Sequence, residues 1–353
     1  MEKLQTEGIN NFKLDNDNHL KELVLERILS LDIHPNENLG QHFIINSALI
    51  NQIASFITPG NNVFEIGTGI GQLTEALATK AMHVATVEID KRYEPVLSLL
   101  EITNPNVSVI YGDVLTLKWE KYLTMGREKT GTQLVSSLPY HISEPFFHKL
   151  AKLSLSFEDI ILILGKRLVD EIKATSEDSA DFGAVSLIAQ TFFSIDHIAT
   201  IQRECFHPIP RTESGVVRLL LKNPRETDIT QRDYIFRKLY MTEDRNPTVC
   251  SIIKNALVEY EQNTQKGTLG KSEYARKNRR VATMNLRAMT EEYNYAHLRT
   301  SDNASTNPRT NLLSAQHQAL KRVNNMGIPE TILVKPFRLL NNSELRLLSK
   351  ALR

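Results

Sequence analysis

The chain has 353 residues, enough for one large domain and a smaller one, and its 41% hydrophobic and 24% charged residues are those of an ordinary globular protein. The net charge of +1 conceals a split: residues 1–223 carry 20 Lys/Arg against 28 Asp/Glu, whereas residues 224–353 carry 22 against 13. Two cysteines, Cys205 and Cys250, without any Cys/His cluster, exclude a disulfide framework and a tetrahedral metal site, and the basic second part fits either a polyanion-contacting surface or a merely solvated one.

In chain order, the opening stretch MEKLQTEGINNF has no apolar core and no Arg-rich amphipathic pattern, and no long apolar window follows anywhere. A reducing, cytoplasmic location without a membrane is expected. Leu20, Leu23, Val24, Ile28 and Leu31 fall at helical spacing, predicting a short packing helix over 19–31. A second helix is expected to start at Ser47 as its N-cap. Periods then alternate: strand 62–66, helix 71–80, strand 83–89, helix 91–102, strands 107–110 and 134–137, helix 144–153, strand 160–164. This alternation predicts an α/β fold with an open, doubly wound, Rossmann-like sheet, whose ligand sits beyond the carboxyl ends of the strands. After a last strand over 216–222 the chain turns helical, polar and basic, with KSEYARKNRR at 271–280 and a flexible loop expected at 301–311.

The stretch VFEIGTGIGQLT follows a strand and opens a helix. Gly67, Gly69 and Gly71 allow a tight turn and a close approach of backbone to ligand, with Glu65 just before them. The spacing is Gly-x-Gly-x-Gly, not that of dinucleotide folds, and no P-loop lysine is present. Glu88 ends the next strand, where a carboxylate accepts both hydroxyl protons of a ribose. Asp113, in YGDV, ends the third, where it can take a proton from an adenine amine. Each acid alone is an ordinary strand-end carboxylate; the ordered set of three strand ends predicts an adenosine-like ligand without phosphates.

These residues, with GQHF (40–43), VEID (87–90), SSLPYHIS (136–143) and FHPIPRTESGVVRL (206–219), resemble the S-adenosylmethionine-dependent rRNA adenine N6-dimethyltransferases, a family that includes the small-subunit rRNA dimethylases and the erythromycin-resistance ribosome methylases. The similarity runs from about Leu39 to Lys222. It implies a methyltransferase sheet, S-adenosyl-L-methionine as cofactor and RNA as substrate. Gln41, His42 and Ile44 would wrap the cofactor's methionine end, Gly67 would offer backbone, Glu88 the ribose contact and Asp113 the adenine contact. Glu65, Gly69, Gly71, Ile89, Val114 and Ser137 complete the implied cofactor site. On the acceptor side, the Leu138 carbonyl would accept an amine proton, Pro139 would stiffen the turn, Tyr140 would stack on the base and Phe206 would close its other face.

Ser137 departs from the family, which has asparagine there. Its hydroxyl is shorter and is also a donor. Three readings follow: an adenine N-methyltransferase in which Ser137 accepts directly or through water; a methyltransferase of the same fold acting on a non-RNA small molecule; or a catalytically silent RNA-binding assembly factor. Lys166 reads equally as a substrate-side lysine or an exposed helix-start lysine, and His141 and His207 as loop histidines. The expected organisation is an N-terminal helical extension (1–38), a methyltransferase domain (39–223) and a basic helical domain (224–353) interrupted by an insertion near 260–322.

Overall fold

A computed structural model of the chain describes residues 10–12, 18–36, 40–123, 131–153, 157–176, 181–222, 230–242, 247–265 and 308–352. The chain divides into two compact units, Met1–Leu221 and Lys222–Arg353.

The first unit is built on an eight-stranded sheet. Its strands are β1 (Asn10–Phe12), β3 (Asn62–Ile66), β4 (His83–Glu88), β5 (Val107–Tyr111), β6 (Thr132–Ser137), β7 (Asp159–Gly165), β8 (Phe193–Ile201) and β10 (Ser214–Leu221). The spatial order is β1-β8-β10-β7-β6-β3-β4-β5. From β7 through β5 all neighbours are parallel. Strand β10 enters antiparallel to both β7 and β8. A two-residue ribbon, β2 (Phe43–Ile44) with β9 (Phe206–His207), lies apart from this sheet.

Helices α1 (Asn18–Ser30), α2 (Ser47–Ser55), α3 (Gln72–Ala78), α4 (Glu94–Thr103), α5 (Ser143–Leu153), α6 (Lys166–Lys173) and α7 (Ala184–Phe192) accompany the strands. Strands β3 and β6 are buried along nearly their whole length, as expected of parallel strands covered on both faces. β7 reads DIILILG for the same reason. The helix expected to be capped by Ser47 is capped one residue earlier: the Asn46 side chain accepts from the Leu49 amide at 2.7 Å. Asparagine satisfies a free N-terminal N–H as well as serine does, so the pattern alone does not choose between neighbours. Val24 and Ile28 of α1 lie in the same buried cluster as Phe43, Leu49, Ile70 and Leu97, so the N-terminal helix is part of this core.

The chain leaves β3 toward β4 on one side while β6 pairs on the other. That reversal is the switch point of the sheet, and ligands of such sheets bind at the carboxyl ends of the strands there, where Gly67, Ile89 and Leu138 begin their loops.

The second unit is helical in its described parts. Helix α8 (Gln231–Met241) is capped by Thr230, and α9 (Val249–Gln265) is joined to it by the Lys238–Glu259 ion pair at 2.6 Å. A helix over Pro308–Asn325 is tied to α9 through Arg322 and Glu261. The loop expected over 301–311 therefore ends at Pro308, whose fixed φ suits a first helical turn. Residues 301–307 and the basic run 271–280 lie outside the described residues.

Candidate functional site

The glycine loop turns three times through left-handed backbone, at Gly67 (φ +86°), Gly69 (φ +58°) and Gly71 (φ +89°). A Cβ at Gly67 would stand 3.6 Å from the Ser137 carbonyl, and one at Gly69 would stand 3.2 Å from the Phe43 ring. The loop is thus held between the end of β6 and the β2 ribbon. Four of its amides are bonded within the fold: Gly67 and Thr68 donate to the Val87 carbonyl (2.9 and 3.3 Å), Gly69 to Glu88 Oε2 (2.7 Å) and Gly71 to the Thr68 carbonyl (3.0 Å).

Glu65 lies under the loop and is buried. Its Oε2 accepts from the hydroxyls of Thr74 and Thr86, both at 2.6 Å, and Thr86 also meets the Thr68 hydroxyl at 2.6 Å. Burial pushes its pKa up to about 7, opposed by the two threonine bonds. The sequence suggests Glu65 as a cofactor ligand; in the structure it is a buried brace that ties α3, β4 and the loop together.

Glu88 is 5% exposed, and each of its oxygens holds a backbone N–H: Oε2 that of Gly69 and Oε1 that of Asp90, at 2.8 Å. Burial raises its pKa while these bonds lower it. Asp90 in turn takes the Gln41 amide at 2.7 Å and the Arg92 guanidinium at 2.6 Å, and its pKa is lowered chiefly by Arg92. Ile89 beside it is 56% exposed, an apolar surface next to the carboxylate. Asp113 Oδ1 accepts from the Leu115 amide at 2.8 Å, and Val114 is buried behind it.

On the acceptor side, Leu138 is buried and its amide donates to the Ile163 carbonyl at 3.0 Å, which fixes the direction of the turn. Pro139 packs on Gly40, where an added Cβ would come within 2.9 Å of the ring. The backbone of Tyr140 starts a short 3-10 turn to Ile142, and its side chain lies outside the described residues.

Several other expected site residues also serve the fold. Gln41 bridges the Asn36 amide and Asp90, and His42 Nδ1 lies 2.8 Å from the Pro208 carbonyl, so both side chains brace the loop that carries them. Ile44 is buried and pairs with Phe206 across the ribbon. Phe206 is only 3% exposed and belongs to the main core, so it offers no open ring face to a base; the ribbon turns it inward. Lys166 is exposed and paired with Asp170 at 2.9 Å, the helix-start reading.

The Glu88 and Asp113 carboxylates beside the glycine loop fit the hydroxyl and amine donors of a nucleoside, as S-adenosylmethionine has. Among the described residues no group of three His, Cys, Asp or Glu side chains is placed to hold a metal ion, and no helix is long and apolar enough to cross a membrane. Sequence reasoning missed Asp90, Thr74, Thr86 and Lys149; of these only Asp90, inside VEID, carried a local signal.

The family model described as ribosomal RNA adenine dimethylase matches residues 34–293. Ribosomal RNA small subunit methyltransferase A of Bacillus cytotoxicus is 28% identical over 233 residues, 65% of this chain and 80% of that protein. The protein of the same name from Clostridioides difficile is 30% identical over 203 residues, 57% and 70% of the two chains. A solved dimethyladenosine transferase from Plasmodium falciparum is 20% identical with a TM-score of 0.48, over 88% of this chain and 97% of that one.

Proposed function

Because the chain belongs to the ribosomal RNA adenine dimethylase family, we propose that it transfers methyl groups from S-adenosylmethionine to the exocyclic amine of an adenine in ribosomal RNA. The observation that carries this reading is the left-handed glycine loop after β3, bonded through Gly69 to Glu88 at the end of β4, with Asp113 following β5. Such a site offers carboxylate acceptors to the hydroxyls of a ribose and to the amine of an adenine.

When bound, S-adenosylmethionine supplies an electrophilic methyl on a sulfonium. An adenine amine is a poor nucleophile because its lone pair is delocalised into the ring. The Leu138 carbonyl and the Ser137 hydroxyl accept the amine protons and draw the nitrogen toward tetrahedral geometry, Pro139 holds that turn rigid, and Tyr140 stacks on the base. Glu88 takes the ribose hydroxyls and Asp113 the cofactor's own amine. Gln41, His42 and Ile44 shape the wall at the methionine end. Positioning and fixed dipoles provide the acceleration, with no covalent enzyme intermediate.

The methyltransferase region is assigned to 39–223 and the RNA-facing basic region to 224–353, whose excess of Lys/Arg suits phosphate neutralisation. Action on ribosomal RNA implies a cytoplasmic protein.

The test is incubation of the full chain with labelled S-adenosylmethionine and unmodified small ribosomal subunits, followed by mass spectrometry of the nucleosides. Methylated adenosine is expected, and Glu88→Ala abolishes it. No incorporation by a wild-type chain that binds S-adenosylhomocysteine would refute the RNA reading.

A further inference from the structure

Asp113 begins a single turn of helix: the amides of Thr116 and Leu117 both donate to its carbonyl at 3.0 Å, and its side chain caps the Leu115 amide. One isolated turn is not stable, because the carbonyls at its far end lack donors and nucleation is costly. Lys149 supplies them. From α5, its Nζ donates to the carbonyls of Val114 (2.8 Å), Leu115 (2.9 Å) and Leu117. The Trp119 indole N–H adds a second bond to Val114 at 2.8 Å, and the ammonium stands 5.1 Å from the Trp119 ring centre. Trp119 is itself fully buried against Phe64 and Phe146.

Helix α5 follows directly on the 137–142 turn. One side chain therefore joins the segment that carries the acceptor turn to the segment that presents Asp113. We propose that Lys149 is a positioning residue, locking the Asp113 turn so that its carboxylate reads the cofactor's exocyclic amine, and coupling that seat to the acceptor turn. The proposal rests on the cofactor reading above. An ammonium is suited to this task because its three N–H bonds diverge, each toward a different carbonyl, which a planar guanidinium cannot reproduce.

The experiment measures calorimetric binding of S-adenosylhomocysteine and of its 6-deamino analogue, which lacks the exocyclic amine, to the full chain and to Lys149→Met and Lys149→Arg. In wild type the amine should favour S-adenosylhomocysteine by about tenfold, the worth of one hydrogen bond to a charged group. In Lys149→Met that preference should collapse toward unity, with Lys149→Arg between the two. A lysine that served only the core would lower the melting temperature and leave the preference at its wild-type value, and that result would overturn the proposal. If Lys149→Met does not fold, Lys149→Arg and Trp119→Phe carry the measurement, and an unchanged preference in both is equally decisive against it. Failure of the wild-type chain to bind S-adenosylhomocysteine would overturn the cofactor reading, and this proposal with it.

Discussion

Replacing Glu88 by glutamine changes one atom type, yet the geometry makes it a severe substitution. Both carboxylate oxygens accept backbone N–H groups, Gly69 at 2.7 Å and Asp90 at 2.8 Å. A glutamine has one acceptor oxygen, so one of those amides must face an NH2 donor. Losing a hydrogen bond to a charged group costs about 1.5–3 kcal/mol. Part of this is offset, because burial already disfavours the Glu88 charge and a neutral amide removes that penalty. The net stability loss is then about 1–2 kcal/mol, a fall of roughly 2–8 °C in melting temperature for a unit of this size. Binding has no such offset, since the ribose hydroxyls lose an acceptor. S-adenosylhomocysteine should bind about 10–100-fold more weakly to Glu88→Gln by calorimetry. An affinity within threefold of wild type, in a folded variant, would mean that Glu88 does not reach the ligand and would refute the reasoning.

Three further outcomes are expected. Glu65, raised to about 7, binds its proton more tightly folded than unfolded, so its contribution to stability is present below the ordinary value of 4.5 and lost as pH rises to 7. Wild type should lose roughly 3 kcal/mol relative to Glu65→Gln across that window in urea titrations, and a parallel pH dependence of the two would contradict the buried-acid assignment. Arg27 of α1 donates to the Ile70 carbonyl at 2.9 Å and pairs with Glu75 at 2.6 Å, reaching the glycine loop from outside the 34–293 match. Arg27→Leu should raise KM for S-adenosylmethionine by about threefold to tenfold while kcat holds, the partial exposure of the pair limiting the effect; steady-state kinetics decide. Ser137→Asn should increase the methylation rate if a longer acceptor improves an adenine site, whereas a fall would indicate a pocket tuned to another acceptor.

What the sequence made legible was what a residue's own backbone or strand dictates. The apolar run of β7 announced a covered strand, and the glycines at 67, 69 and 71 announced conformations that side-chain-bearing residues rarely adopt. Helix α7 passes into β8 between Phe192 and Phe193 without a glycine or proline to mark the change, and so neither element was readable. Phe206 and Lys149 failed to declare themselves for a different reason. Their roles depend on which distant segment they meet, the ribbon at Ile44 or the turn at Val114, and no local pattern encodes that. Ser137 shows both limits at once. In the fold Ser137 pairs through its backbone with Ile163 at the end of β6. Backbone pairing of this kind does not distinguish serine from asparagine, so the difference between them falls on the chemistry of the acceptor turn, which no local pattern spells out.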